Sequence, residues 1–333
     1  MPRLRRVTTR AGGWHRRRHG RGFRYVDDAG SPLDAEQVTQ CRQLVIPPAW
    51  EDVWICPDPY GHLQAIGTDS EGRKQYLYHP EWRRRQDAAK FDRVLDLAER
   101  LPRARRRVIR DLEADELTRT RSLAAAFRLL DRGLFRVGTQ SYKEQNGSYG
   151  LATLHPDQVR FDGRRMIFRF PAKSGQVAEI EVTDPLAGEV VRALARRRSS
   201  RAELLAYRDG RHWRNLTADD VNEYLASVVG EDFTAKDFRT WHATALAGVL
   251  LALTEPVGSD RKRRSQVLRV IDTVADRLGN TRSIARTSYL HPRVIDLYHE
   301  GRVLPAAAIA KITADRPLPY PQRVERAVVD LLG

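Results

Sequence analysis

The apolar residues of this chain change their period near residue 84, and that change divides the fold. Between residues 22 and 78, short runs alternate as strands do, at 23–26, 53–56, 62–67 and 73–78, with turn signals at 28–30, 57–61 and 70–72. A helix is expected over 34–44. In Lys74-Gln75-Tyr76-Leu77-Tyr78 the period of two places Tyr76 and Tyr78 on one face, Gln75 and Leu77 on the other. Aromatic pairs on a strand more often pack than bind. From residue 87 the spacing is helical: Phe91, Val94, Leu95 and Ala98 share one face of a helix expected over 87–101, and helices over 103–117 and 122–135 follow. Three strand-like pieces, 159–161, 166–171 and 177–182, interrupt them, with Asp162-Gly163 at the first turn and Lys173 in the second. Asp184-Pro185 reads as an N-cap followed by Pro at the first helical position. Further helices are expected over 217–229, 234–253 and 262–278. The fold class expected is α+β. A basic flexible arm (1–21) precedes a small antiparallel sheet domain (22–84) and a larger, mainly α domain (85–333) with an embedded three-stranded sheet.

Charge says what such a chain meets. The net charge is +15 over 333 residues and the pI is near 10.2, which calls for a polyanionic partner. The first 22 residues carry Arg3, Arg5, Arg6, Arg10, Arg16, Arg17, Arg18 and Arg21 with no acidic residue, a source of salt-dependent affinity for phosphates. No apolar run approaches the ~20 residues that cross a bilayer, and the basic N-terminus lacks the apolar core of a secretion signal. With only Cys41 and Cys56, neither a disulfide scaffold nor a thiolate zinc site is supported. A cytoplasmic, nucleoid-associated protein is expected. Lysine is scarce, at 74, 90, 143, 173, 236, 262 and 311 only, whereas arginine is everywhere. A Lys kept where Arg would supply the same charge therefore stands out.

The residues that carry chemistry lie in the second domain. Residues 278–292, LGNTRSIARTSYLHP, open with a Leu-Gly-Asn turn, continue as a short helical segment and present Tyr289 near the end. That tyrosine can be core, or its phenol can be a nucleophile if cations surround it. Arg136 sits where a helix gives way to a turn, and Arg239, in Lys236-Asp237-Phe238-Arg239, lies in the first turns of another helix. Both can clamp phosphate oxygens bidentately. Lys173, at a hairpin tip, can reach into a groove and, unlike Arg, can give up a proton. Neither an acidic cluster nor a Gly-rich phosphate loop is evident, so metal-assisted phosphoryl transfer and nucleotide hydrolysis find no support.

Arg136, Lys173, Lys236-x-x-Arg239 and the segment ending in Tyr289 resemble, in order and spacing, the type IB DNA topoisomerases, and most of all the small poxvirus-type enzymes of bacteria. The resemblance covers about residues 22–305. It implies a monomeric, C-shaped clamp on double-stranded DNA, in which Tyr289 attacks a phosphodiester to give a 3′-phosphotyrosyl link and a free 5′-hydroxyl. Lys173 and Arg136 would assist expulsion of that hydroxyl, and Arg136 with Arg239 would hold the non-bridging oxygens. The broken strand rotates and the 5′-hydroxyl reverses the attack, with neither ATP nor a metal as cofactor. Gln75, Tyr76, Tyr78, Tyr142, Lys143 and Lys236 are the implied DNA contacts. One departure is plain: the family usually has His where this chain has Asn280, nine residues before Tyr289. Asn can donate a hydrogen bond to a phosphate oxygen but cannot be a cation. Two rival readings remain. Tyrosine recombinases share the layout, but usually carry His-x-x-Arg and an N-terminal helical bundle. A non-enzymatic DNA-binding relative could have lost activity through Asn280.

Overall fold

In the computed structural model, which describes residues 3–197, 203–255 and 257–333, the stretch expected as a flexible arm is in part a strand. Trp14–His19 forms β1 and pairs antiparallel with β2 (Gly22–Asp27) across a two-residue Gly20-Arg21 turn, Gly20 having φ 56°. The basic run folds because its alternation is real. Trp14 and Arg16 point inward while Arg17, Arg18 and His19 stay exposed. Arg16 is buried because its guanidinium has main-chain partners, donating to the carbonyls of Ile46 (2.9 Å), Pro47 (2.8 Å) and Trp50 (2.9 Å), with Phe23 packed 4.2 Å from its Cζ. At the hairpin tip Arg17 faces Arg24 directly, a like-charge pairing that works against the hairpin.

After α1 (Ala35–Gln43), capped by Asp34, come β3 (Glu51–Ile55), β4 (Leu63–Thr68) and β5 (Lys74–Tyr78). The five strands form one antiparallel sheet in the order β2-β1-β3-β4-β5, with Trp14, Cys41, Ile46, Val53, Ile55 and Ala65 as its core. On β5, Tyr76 and Tyr78 stack with centroids 6.2 Å apart and both are exposed, while Leu77 packs against that core.

The chain divides into two compact units between Lys90 and Phe91, a few residues past the expected boundary at 84/85. That division falls inside a helix, α2 (Pro80–Leu112), which begins earlier than expected and runs unbroken through Pro102, where two helices were anticipated. An interior proline costs ~3 kcal/mol. The apolar stripe of Leu97, Ala98, Leu101, Ala104 and Val108 continues across it, fully buried, at roughly 1.5–3 kcal/mol per large side chain, and burial wins. The helix does not reach residue 117, because Glu113, Asp115 and Glu116 offer no apolar face and Thr118 instead caps α3 (Arg119–Gly133).

A short helix, α4 (Gln140–Asn146), leads to the three-stranded sheet β6 (Val159–Asp162), β7 (Arg165–Pro171) and β8 (Val177–Thr183), antiparallel in that order. Asp184 caps α5 (Pro185–Ala195). A hairpin that the sequence reading passed over follows, β9 (Ala206–Asp209) and β10 (His212–Asn215); its Asp209-Gly210 turn was the available signal. Then come α6 (Ala218–Val229), α7 (Ala235–Ala252), α8 (Asp260–Leu278), α9 (Arg282–Ser288), α10 (Pro292–His299), α11 (Ala306–Ile309) and α12 (Gln322–Leu332). Among these α7 is the axis of the unit. Every residue from 237 to 251 is buried, with Phe238 and Trp241 among the largest side chains. Among the described residues no helix is long and apolar enough to cross a membrane.

Replacing Arg16 by Ala is expected to destabilise the N-terminal unit by about 3 kcal/mol, because three carbonyls lose a charged donor. Arg17→Ala, one residue away and exposed, should change stability by less than about 0.5 kcal/mol. Urea unfolding of the two variants measures both.

Candidate active site

A helix all of whose faces are buried must find partners for every polar side chain it carries, and α7 carries Arg239 at 4% exposure. Its guanidinium donates to the carbonyl of Leu134 through Nη1 and to that of Leu278 through Nη2, at 2.8 Å. Leu134 is the left-handed C-cap of α3 (φ 56°), and Leu278 is the last residue of α8. Both carbonyls belong to helix ends whose oxygens have no intrahelical donor, so a buried cation and two orphan acceptors satisfy each other. Arg136, two residues past the α3 cap, donates through Nη2 to Gly279 O (3.1 Å) and to Asn280 Oδ1.

The loop that carries Arg136 is pinned by two glycines. Gly138 (φ 75°) and Gly150 meet backbone to backbone: a Cβ on Gly150 would lie 2.5 Å from Gly138 Cα, and one on Gly138 2.6 Å from Gly150 Cα. Beside them Leu151 N donates to Arg136 O and Ala152 N to Val137 O, each at 2.8 Å. The same loop holds the hairpin that carries Lys173, through Tyr149 N to Pro171 O (2.8 Å) and Ser148 Oγ to Ala172 O (3.1 Å). Lys173 is exposed in a tight turn closed by Ala172 N to Gln176 O at 2.7 Å. Arg136, Lys173, Arg239, Tyr149, Gln176 and Gly279 line one cleft of about 190 Å³.

Asn280 follows Gly279, the left-handed residue (φ 58°) that ends α8. Gly279 N donates to Asp276 O (3.1 Å) and Asn280 N to Ala275 O (3.0 Å), a Schellman closure that fixes Asn280 in place. Because the guanidinium of Arg136 can face only the amide oxygen, the Asn280 amide nitrogen turns away, and Nδ2 is buried with no acceptor among the described residues. Arg239 Nε is in the same condition. Two buried donors without acceptors suit an anion.

Thr281 caps α9, which ends on Tyr289; the carbonyl of Tyr289 accepts from Thr244 Oγ1 on α7 at 3.3 Å. The half-buried Tyr289 ring lies 5.1 Å from Arg239 Cζ. Burial works to raise its phenol pKa, but Arg239, helped by Arg136 and Lys236, outweighs burial, and the net shift is downward. Burial brings Arg239 itself down to about 10.

The structure therefore brings Tyr289, Arg136, Arg239, Asn280 and Lys173 into one neighbourhood, with Lys236 exposed one turn from Arg239. Gln75, Tyr76 and Tyr78 lie in the other unit, where Gln75 donates to Asp69 Oδ2 at 2.8 Å. Tyr142 is exposed on α4. Lys143 is engaged within the protein, 3.2 Å from Glu203 Oε1 and 2.8 Å from His155 Nε2. The sequence reading missed the bracing carbonyls of Leu134, Leu278 and Gly279, as well as Tyr149 and Gln176. Among the described residues no group of three or more His, Cys, Asp or Glu side chains is placed to hold a metal ion.

A family model described as eukaryotic DNA topoisomerase I, catalytic core, matches residues 79–307, and one described as bacterial DNA topoisomerase IB, N-terminal domain, matches residues 22–69. The DNA topoisomerase 1B of Acanthamoeba polyphaga mimivirus is 28% identical over 285 residues, covering 83% of this chain and 84% of the viral protein.

The electrostatics can be read by titration. The Tyr289 phenol is expected to ionise below the ordinary tyrosine value, since the neighbouring cations favour phenolate. Arg239→Gln should move it above that value, because burial then acts with less opposition. Ultraviolet difference titration against Tyr289→Phe isolates this one phenol; an unmoved midpoint would place the cation elsewhere.

Proposed function

The chain belongs to the type IB DNA topoisomerases, and from that premise we propose how its residues divide the reaction. Tyr289, its proton released to solvent as the neighbouring cations favour the phenolate, attacks a backbone phosphorus through Oη, forming a P–O bond to tyrosine as the P–O bond to the 5′ oxygen breaks. The products are a 3′-phosphotyrosyl link and a 5′-hydroxyl. Lys173 delivers the proton that the leaving oxygen needs, and Arg136 assists its expulsion. Arg136 and Arg239 hold the non-bridging oxygens, already aimed by the helix-end carbonyls. The Asn280 amide nitrogen donates to the same group as a neutral hydrogen-bond donor where a family member usually has His. One phosphoester replaces another, so after strand rotation the 5′-hydroxyl can return along the same path without ATP. The observation that carries this reading is the half-buried phenol next to Arg239, its pKa lowered against its own burial.

The remaining contacts follow from exposure. Tyr76 and Tyr78, stacked and exposed on β5, with Gln75 beside them, present an aromatic and polar edge to duplex DNA. The tip of β1 and β2 adds Arg17, Arg18, Arg21 and Arg24, and Lys236 and Tyr142 add contacts in the second unit. Lys143 can join them only by leaving Glu203. The working form on the nucleoid is a monomer.

Tyr289→Phe is expected to abolish relaxation of supercoiled plasmid, assayed in EDTA without ATP, while leaving duplex affinity nearly intact. Detergent should trap a covalent protein–DNA adduct from the wild type alone. An equally active Phe variant ends this assignment. For Asn280→Ala the deficit in single-turnover cleavage could reach ~10²-fold, as for loss of one preorganised oxyanion donor. Asn280→His should keep substantial activity. If Ala matches Asn while His inactivates, position 280 is a packing residue. Replacing Arg17, Arg18, Arg21 and Arg24 together by Ala should flatten the plot of log affinity against log salt, by ~0.9 in slope for each phosphate that the hairpin no longer neutralises. A slope equal to the wild type would show that the hairpin does not touch DNA.

A further inference from the structure

Beneath Arg239 lies a buried charge network in which the proposed mechanism has no part. Asp131, on α3, is fully buried, and Arg105, on α2, grips it with Nε to Oδ2 (2.8 Å) and Nη2 to Oδ1 (2.9 Å). The other side of the same guanidinium holds Glu325, on α12, with Nη1 to Oε2 (2.6 Å) and Nη2 to Oε1 (2.9 Å). His242 Nε2, on α7, is 2.9 Å from Asp131 Oδ1. Three helices thus meet at one guanidinium placed between two carboxylates, and α7 joins them through His242 and Asp131.

The position of this network in the fold gives it meaning. On α3, Asp131 precedes Leu134 by one helical turn; on α7, His242 follows Arg239 by one turn. The contacts His242–Asp131 and Arg239–Leu134 O are therefore successive rungs between the same two antiparallel helices. If α3 shifts along α7, both rungs move together, and Arg239 is parted from the carbonyl that aims it. Glu325 holds the lower rung from outside. It is 3% exposed on a helix whose apolar face is Val324, Val328 and Leu332, and it lies beyond residue 307, where the match to the catalytic-core family model ends. A carboxylate set into the apolar face of a C-terminal helix needs a charged partner, and Arg105 supplies it.

We propose that Glu325 is a positioning residue for strand cleavage, which acts through Arg105 and Asp131 to hold α3 in register with α7 and so keeps Arg239 aimed at the scissile phosphate. This deepens the assignment of Arg239 made above and rests on it. A positioning group displaced by a fraction of an ångström costs rate without costing affinity, because the phosphate contact is made in full only as the bond breaks.

Glu325→Gln keeps the size and an acceptor for Arg105 but removes the charge. It is expected to slow single-turnover cleavage at saturating duplex between about 10- and 100-fold. Duplex affinity, read by fluorescence anisotropy, should stay within about twofold of the wild type, and thermal melting close to it. Asp131→Asn should slow cleavage as well, and the double variant should be no slower than Asp131→Asn alone, since both act through one path. Arg326→Ala, on the exposed face of the same helix, should cleave like the wild type. A folded Glu325→Gln protein that cleaves at the wild-type rate overturns the proposal. So does one whose melting temperature, affinity and cleavage fall together, which would make Glu325 a stability residue of α12. Adduct formation by the wild type in the same assay reports separately on the cleavage reading itself.

Discussion

Three backbone oxygens at the ends of two helices decide where the two arginines of the site point. The carbonyls of Leu134, Leu278 and Gly279 sit at the negative ends of α3 and α8, and each accepts from Arg136 or Arg239. Burying a guanidinium costs several kcal/mol, and two hydrogen bonds from a charged donor return roughly 1.5–3 kcal/mol each. For Arg239 burial outweighs this return and lowers its pKa to about 10, still far enough above neutrality to keep the cation. The protein has thus brought the cation into low dielectric at a cost that the carbonyls only partly offset. A charge held there acts on an anion far more strongly than the same charge in water.

The same logic explains how a chain of net charge +15 keeps a stable interior. Asp131, Asp184, Asp237 and Glu325 are buried, and each is paired with arginine: Arg105 for Asp131 and Glu325, Arg128 and Arg132 for Asp184, Arg93 for Asp237. Among the described residues as many arginines as acids are buried, so the interior holds little net charge and the excess of positive charge falls on the surface. There it raises the local concentration of a polyanion and speeds encounter, to a degree set by ionic strength.

Much of this architecture was legible in the sequence wherever the signal was local. The strands β6, β7 and β8, the Asp184-Pro185 helix start and the Leu-Gly-Asn stop at the end of α8 each depend on neighbours a few residues away. The reading failed where a distant partner decided the outcome. Arg16 looked like part of a tail because nothing near it in sequence announces the carbonyls of Ile46, Pro47 and Trp50. Pro102 looked like a break because the stripe that overrides it is worth more than the proline costs only once it is packed. At the candidate site the order of Arg136, Lys173, Arg239 and Tyr289 was visible. The carbonyls that aim the arginines were not, since a main-chain acceptor has no side-chain signature. Glu325 did leave a trace, a single acid on the apolar face of α12, and only the position of Arg105 gives it meaning.

Gly138 and Gly150 have a consequence for how such a protein can be altered. They touch main chain to main chain, so a side chain added at either would meet the backbone of the other. Between these fixed posts runs α4, which buries none of its residues. Exposed positions of that helix can vary while both ends, and Arg136 just outside them, stay where they are, whereas Ser148 and Tyr149 are held by their bonds to the hairpin of Lys173.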